Sequence, residues 1–442
     1  MSDIKKVAGC DCGKDSLHVC VLEEVPKNLK AYVRSYKPTI LKANQADVEA
    51  FLALDVDLYV LEPTGSYSYL WIEILVKNGK KYKLVSPRRI RHFCEYRGIT
   101  NKADTPDAAA IAAYSLENIS DEQAFLGLTR LKIRELFLQL NSTTRSKNPV
   151  QNRLGQRIGF EFPEYIQTYE TAARPWLEPD PPFPFRFIAG EELTDRYSRK
   201  RKDLLSNSIG TGISEHTRAL ARQLCEFERM EYALEMQIEA EINKPEFERY
   251  HVIFDLFEIP PRIRTALLSR IYPFEDFLRD GRPFKEYVRG EYSKRPSGKT
   301  KRDRSEGEFK LCLGMGKERR QSGNTETWKA GGAKYARTAI WQYVKLFVVI
   351  RGATKSSSKA ALGKQIQDLI TEYEATDSPW LNDKLVEAVA QLTGATPALT
   401  SLRLHFQFQT DKKGDRRISA TAGRFCRTLY KELVKEFAKP TK

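Results

Sequence analysis

The chain has 442 residues, 41% of them hydrophobic, with 73 Lys and Arg against 58 Asp and Glu and a formal net charge of +15 at pH 7. That length predicts two or three domains, and the cationic surplus favours a polyanionic partner, nucleic acid being the usual one. No apolar run reaches the length of a membrane span and the first residues lack a signal-peptide core, which predicts a cytoplasmic protein with no membrane partner.

Residues 5–22 read as a strand, a glycine turn and a second strand, with Asp11 interrupting the apolar run. Residues 30–40 alternate enough for a third strand. Residues 44–54 read as a short helix and 58–61 as a buried strand that runs into Glu62. Leu70, Ile74 and Leu75 give helical spacing over 69–78, which Gly79 stops, and 83–85 is another strand. Pro87 opens a basic amphipathic helix with Arg88, Arg89 and Arg91, and Arg97 follows. An Ala-rich helix over 108–115 begins behind Asp104-Thr105-Pro106-Asp107. Strands alternating with helices predict an α/β domain over residues 1–125.

Residues 126–248 read as helical. Over 128–159, Leu131, Ile133, Leu136, Leu138 and Leu140 combine with a basic face of Arg130, Lys132, Arg134, Arg145 and Lys147. The Pro-rich run 175–184 predicts a linker. Over 213–242, Ile213, Leu220, Leu224, Phe227, Leu234 and Ile238 fit heptad a and d positions, with Thr217 and Glu231 as misfits. This predicts a long coiled-coil arm joining subunits; the plainer reading is an amphipathic helix packed on its own domain. Residues 249–442 read as a mostly α C-terminal domain. It holds a helix through Ala266, Leu267 and Ile271, a charged loop at 293–304, the segment Arg319-Arg320-Gln321-Ser322-Gly323-Asn324, a helix over 335–350, and further helices with a strand at 402–408.

Seven scattered cysteines form no disulfide framework. Cys10 and Cys12 flank Asp11, but no second pair or nearby His completes a zinc site, and both read as small buried apolar residues.

Four carboxylates stand where a two-metal nuclease needs them: Asp11 in a strand, Glu62 at a strand end, and Asp104 and Asp107 three apart at a helix start. Singly, Asp104 before Thr-Pro is an N-cap and Glu62 before Pro-Thr-Gly is a turn residue. Asp11 is the odder signal, because a carboxylate inside a strand costs stability unless it is paired or binds a cation. Jointly they predict a Mg²⁺ site: magnesium takes oxygen ligands, and two ions so held activate the attacking oxygen and stabilise the leaving oxygen of a phosphodiester.

Gly9-Cys10-Asp11 with Lys14-Asp15, Leu61-Glu62-Pro63-Thr64-Gly65-Ser66, Leu84-Val85-Ser86-Pro87 and Lys102-Ala103-Asp104-Thr105-Pro106-Asp107-Ala108-Ala109-Ala110-Ile111-Ala112 together resemble the DEDD transposases of insertion sequences. That group includes the Piv-type DNA invertases and the bridge-RNA-guided recombinases. The resemblance covers most of residues 5–115 and implies an RNase H-like, RuvC-like N-terminal domain whose four acids bind Mg²⁺. Gln321-Ser322-Gly323-Asn324 resembles the family's serine motif, which implies that Ser322 attacks a DNA phosphate to give a covalent phosphoserine. The partners it implies are double-stranded DNA, a structured guide RNA, and further copies of the chain in a dimer or tetramer. With base pairing reading sequence, the protein reads backbone and shape, and Arg88, Arg89, Arg91, Arg97, Arg130, Lys132, Arg134, Arg319 and Arg320 are the candidate phosphate contacts.

The chain departs from the family pattern at Lys102-Ala103 in place of Lys-Thr, at Ile259-Pro260-Pro261-Arg262-Ile263 in place of a Pro-Gly-Ile-Gly-like turn, and in the basic insertion 293–304. Two other readings compete. One is a metal-dependent junction-resolving endonuclease of the same fold that uses water in place of Ser322. The other is a non-catalytic nucleic-acid-binding protein, against which stands the presence of all four acids.

Overall fold

The computed structural model describes residues 4–63, 67–99, 107–121, 124–126, 128–193, 196–289, 299–322, 325–349, 357–373, 379–409 and 414–440. The chain divides into two compact units, residues 1–131 and 132–442.

The first unit is built on five strands, β1 (Val7–Cys12), β2 (Leu17–Leu22), β3 (Thr39–Leu41), β4 (Leu58–Glu62) and β5 (Tyr82–Leu84), in the order β3-β2-β1-β4-β5. β2 is antiparallel to β1 and β3, whereas β4 is parallel to β1 and β5 parallel to β4. Among the described residues its helices are α1 (Leu29–Ser35), α2 (Gln45–Leu52), α3 (Tyr67–Lys77), α4 (Pro87–Tyr96) and α5 (Asp107–Glu117). Side chains alternate across a strand. Val7, Leu58 and Val60 pack with Ala108 to Tyr114 of α5, while Ala8, Cys10, Cys12, Tyr59 and Leu61 pack with Phe51, Trp71 and Leu75. Both faces are therefore covered, which is why β1 and β4 read as near-continuous apolar runs. This mixed sheet is consistent with the expected RNase H-like fold.

Two features fix the geometry. The Asp57 carboxylate accepts from the backbone N–H groups of Lys5 and Lys6, each at 2.8 Å. In return the Lys6 carbonyl accepts from the N–H groups of Asp57 and Leu58 at 2.9 and 3.3 Å. The start of β4 is thus pinned to the start of β1. Further along β1, α5 crosses at Gly9, where an added Cβ would lie 2.2 Å from the Ala108 carbonyl oxygen and 2.4 Å from the Ala112 nitrogen.

The expected strand over 30–40 is instead α1 followed by β3. Leu29 and Val33, four apart, bury one helical face, and the Asn28 side chain caps the start by accepting from Ala31 N–H at 3.0 Å.

The second unit is mostly helical. Its elements are α6 (Leu128–Glu161), α7 (Ile166–Glu170), α8 (Phe183–Ala189), α9 (Arg196–Ser206), α10 (Glu215–Ile242), α11 (Glu248–Leu256), α12 (Pro261–Ile271), β6 (Leu278–Arg279), β7 (Arg282–Pro283), β8 (Lys285–Arg289), β9 (Lys299–Asp303), α13 (Arg304–Cys312), β10 (Lys317–Ser322), β11 (Thr325–Ala330), α14 (Lys334–Tyr343), α15 (Ser357–Glu372), α16 (Asp383–Thr393), α17 (Pro397–Phe408) and α18 (Asp415–Phe437). Phe254, Phe257, Phe274, Phe309, Tyr343 and Phe425 centre its largest core. Among the described residues no helix is long and apolar enough to cross a membrane.

Three expectations change here. The helix read as a coiled-coil arm, α10, packs within its own chain. Ala221, Leu224 and Cys225 join Leu154 and Ile158 of α6 and Phe185 and Ile188 of α8, and Leu224 is fully buried. Further along, its inward face carries Glu228, Glu231 and Glu235. The Arg174 guanidinium reaches Glu228 at 3.0 Å and grips both oxygens of Glu235, and Lys147 pairs with Glu228 at 3.0 Å and with Glu231. The Pro-rich run is no free linker, because Trp176 donates to Glu239 at 2.6 Å and Leu177 N–H to Glu235 at 3.0 Å. Residues 402–408 lie in α17, a helix that starts with a Thr396 cap and Pro397 in its first turn. The charged loop survives in part as β9, and residues 290–298 lie outside the described residues.

Gly9→Ala should destabilise the protein by about 3 kcal/mol or more, since the methyl group would meet backbone that has no rotamer to change. Urea unfolding monitored by circular dichroism measures this, and a change under about 0.5 kcal/mol would show that α5 can lift from β1 freely.

Candidate active site

Asp11 and Glu62 are register partners on β1 and β4, the last pair of that parallel ladder, with strand axes about 4.8 Å apart. Each is in phase with the residues that face α5: Asp11 with Val7 and Gly9, Glu62 with Leu58 and Val60. Asp107 is the first residue of α5, the helix seated on Gly9. Strand alternation and helix seating thus deliver three carboxylates to one end of one sheet face. Asp104 lies outside the described residues.

Their electrostatics agree. Burial, then Asp107, then Asp11 push the Glu62 carboxyl up to about 7, with Arg91 pulling the other way. Burial raises Asp11, opposed by His18, its partner across the β1–β2 hairpin. Two thiols feel the same field. Cys12 is pushed up to about 12 by burial and by Asp11 and Glu62, and Cys94 up to about 11 by burial, Asp107 and Glu62. Both shifts favour the neutral thiol.

Among the described residues no three His, Cys, Asp or Glu side chains close around a single point to hold an ion. The three carboxylates share an electrostatic field without forming a closed cage. Their chemistry nonetheless fits magnesium: the donors are carboxylate oxygens, and a partly buried Glu62 raised by Asp107 and Asp11 is what a hard divalent cation relieves.

The basic candidates fall into three groups. On α4, Ile90, Phe93 and Cys94 face inward, leaving Arg88, Arg89 and Arg91 exposed. Arg97, also exposed, pairs with Glu117. On α6, Lys132 pairs with Glu241 at 2.7 Å and Arg134 is exposed; the Arg130 side chain lies outside the described residues. Arg319, Arg320 and Ser322 sit on β10, their side chains also outside the described residues. Ser322 ends β10 opposite Thr325 of β11, so it stands at the neck of a hairpin whose two connecting residues, Gly323 and Asn324, are not described. The sequence gives no sign of this hairpin, since neither strand shows apolar alternation. The sequence reading also missed His18, whose place opposite Asp11 follows from counting back across the Gly13–Ser16 turn.

The folded chain holds the Glu62 proton up to about pH 7, against 4.5 for the free side chain. Between those values the native state binds more protons than the unfolded chain, so stability falls as pH rises through this window. In chelator, urea unfolding should show a loss on the order of 2 kcal/mol, allowing for partial solvent screening. Glu62→Gln should remove most of this fall, leaving the part contributed by the raised Asp11, and magnesium should reverse it above pH 7. A flat profile in the parental protein would rule out the clustering.

No curated protein matches the chain. Residues 8–147, the segment that contains Asp11, Glu62, Asp104 and Asp107, match the family profile of the IS110-type DEDD transposases, described as a transposase.

Proposed function

We propose that this chain is a DNA transposase that cuts and rejoins strands through a phosphoserine intermediate, with Asp11, Glu62, Asp104 and Asp107 holding Mg²⁺ and Ser322 as nucleophile. The observation that supports it most is the in-register pair Asp11 and Glu62 with Asp107 at the head of α5, inside the segment that matches a transposase family.

When bound, the cations supply neutralisation of the attacked phosphate and activation of the attacking oxygen. The carboxylates fix where that charge sits. The Ser322 hydroxyl oxygen forms a bond to phosphorus as the bond to the departing strand breaks, and the hydroxyl proton ends on the departing oxygen. One phosphoester replaces another, so attack by a second strand's hydroxyl rejoins DNA and regenerates Ser322 without a nucleotide triphosphate. Exposed Arg88, Arg89 and Arg91 hold backbone phosphates, contacts that position a duplex without reading it. A structured guide RNA supplies sequence by pairing, and a homo-oligomer supplies the several centres that strand exchange needs. The protein acts in the cytoplasm, where the DNA of an insertion element resides.

The test is a suicide DNA substrate that traps a covalent adduct. Ser322→Ala should retain DNA binding and lose the adduct, and Asp107→Asn should lower cleavage by about a thousandfold or more with binding nearly intact. Cleavage by Ser322→Ala at near the parental rate would replace this mechanism with the water-using nuclease. Equal loss of binding and cleavage in Asp107→Asn would make that residue structural.

A further inference from the structure

β1 and β4 end side by side, and the turn after β1 and helix α3 line one cleft. Gly13, two residues after Asp11, begins a tight turn closed by Gly13 N–H donating to the Ser16 carbonyl at 2.9 Å. Tyr67, five residues after Glu62, begins α3. Between the turn and α3 lies a cleft of about 190 Å³, with Lys14 and Asp15 at one side and Tyr67, Leu70 and Trp71 at the other.

Its walls differ in character. Trp71 is only 3% exposed, and its ring meets that of Phe51 edge-on at 5.2 Å, which fixes the α3 side. Tyr67 and Leu70, one helical turn apart, are 47% and 48% exposed, although the same helix has an inward face of Ser68, Trp71, Ile72 and Leu75 available. Apolar rings inside and charge at the rim make a poor site for a free anion, more so with the Asp15 carboxylate there. The lining suits a flat heteroaromatic group attached to a phosphate chain: every nucleobase has a π-face for an aromatic side chain, and Lys14 is placed for the backbone.

We propose that this cleft, at the same end of the sheet as the carboxylates but against its other face, receives a single unstacked nucleobase from a nucleotide neighbouring the phosphate held there, with Tyr67 stacking on the base and Lys14 contacting an adjoining phosphate. The inference rests on the proposed function, since it takes the scissile phosphate to lie at the Asp11–Glu62 end of the sheet. A base can enter only after leaving its duplex stack, and that unstacking favours strand sites that are already unpaired or easily opened.

The experiment uses the full chain carrying Asp107→Asn, so that DNA is bound but uncut, and substrates with 2-aminopurine at each position flanking the mapped cut. One position should show fluorescence distinct from the free strand. Tyr67→Ala should abolish that difference and weaken binding about tenfold, and Tyr67→Phe should keep both. With an abasic nucleotide at that position, the Tyr67→Ala variant and its Tyr67 parent should bind alike. The inference is overturned if no position responds to Tyr67→Ala, or if that variant weakens natural and abasic DNA equally. Adduct formation with Ser322 intact is read separately, so an adduct without a 2-aminopurine response sinks the nucleobase site alone, whereas absence of any adduct removes the catalytic reading.

Discussion

Helix α5 rests on β1 so closely that its backbone fills the space a side chain at position 9 would need. The contact demands glycine on the strand and small residues on the helix, which runs Asp-Ala-Ala-Ala-Ile-Ala-Ala from Asp107. Seating a helix backbone on a strand leaves little freedom to slide or tilt. The first residue of α5 therefore has a fixed position relative to the ends of β1 and β4. Asp107 shares the field of Glu62 because of packing at Gly9, which itself carries no chemistry.

The two units treat carboxylates in opposite ways. In the second unit Glu228, Glu231 and Glu235 are buried on α10, and each meets a cation of its own chain, Arg174 or Lys147. Glu161 is held below its usual value: burial works against this, but hydrogen bonds from Ser214, Thr217 and Arg157 outweigh it. At the end of the first unit's sheet the balance reverses. Burial and neighbouring acids raise Glu62, with Arg91 opposing them. A buried acid matched by cations serves the fold; an acid raised by burial and by neighbouring acids has the character of a functional site.

Much of this was legible in the sequence. The runs ending at Asp11 and Glu62, and the alanines after Asp107, carry patterns that burial on both faces of a sheet enforces. The misreadings share a cause. Leu402, Leu404, Phe406 and Phe408 alternate as a strand would, yet Thr396 and Pro397 start a helix there. The heptads of α10 report an apolar stripe without saying whose helix covers it, and here α6 and α8 of the same chain do. Proline content at 175–184 suggested freedom, but Trp176 and Leu177 are anchored by glutamates some sixty residues away in sequence. Ser322 was recognisable only as part of a motif, because strands without apolar alternation leave no periodic trace.

The clamp between Asp57 and the backbone of Lys5 and Lys6 sets which residue of β4 faces which residue of β1. Because strand faces alternate, a slip of one residue would carry Glu62 to the opposite side of the sheet, among Cys10 and Cys12 of β1. The composition of the site would be unchanged and its chemistry gone. The vulnerable quantity is then a count, the number of residues between the Asp57 anchor and Glu62. A one-residue insertion or deletion within β4 is a more complete lesion than most substitutions at the acids' neighbours, whereas length changes in the α2–β4 connection before the anchor leave the alignment intact.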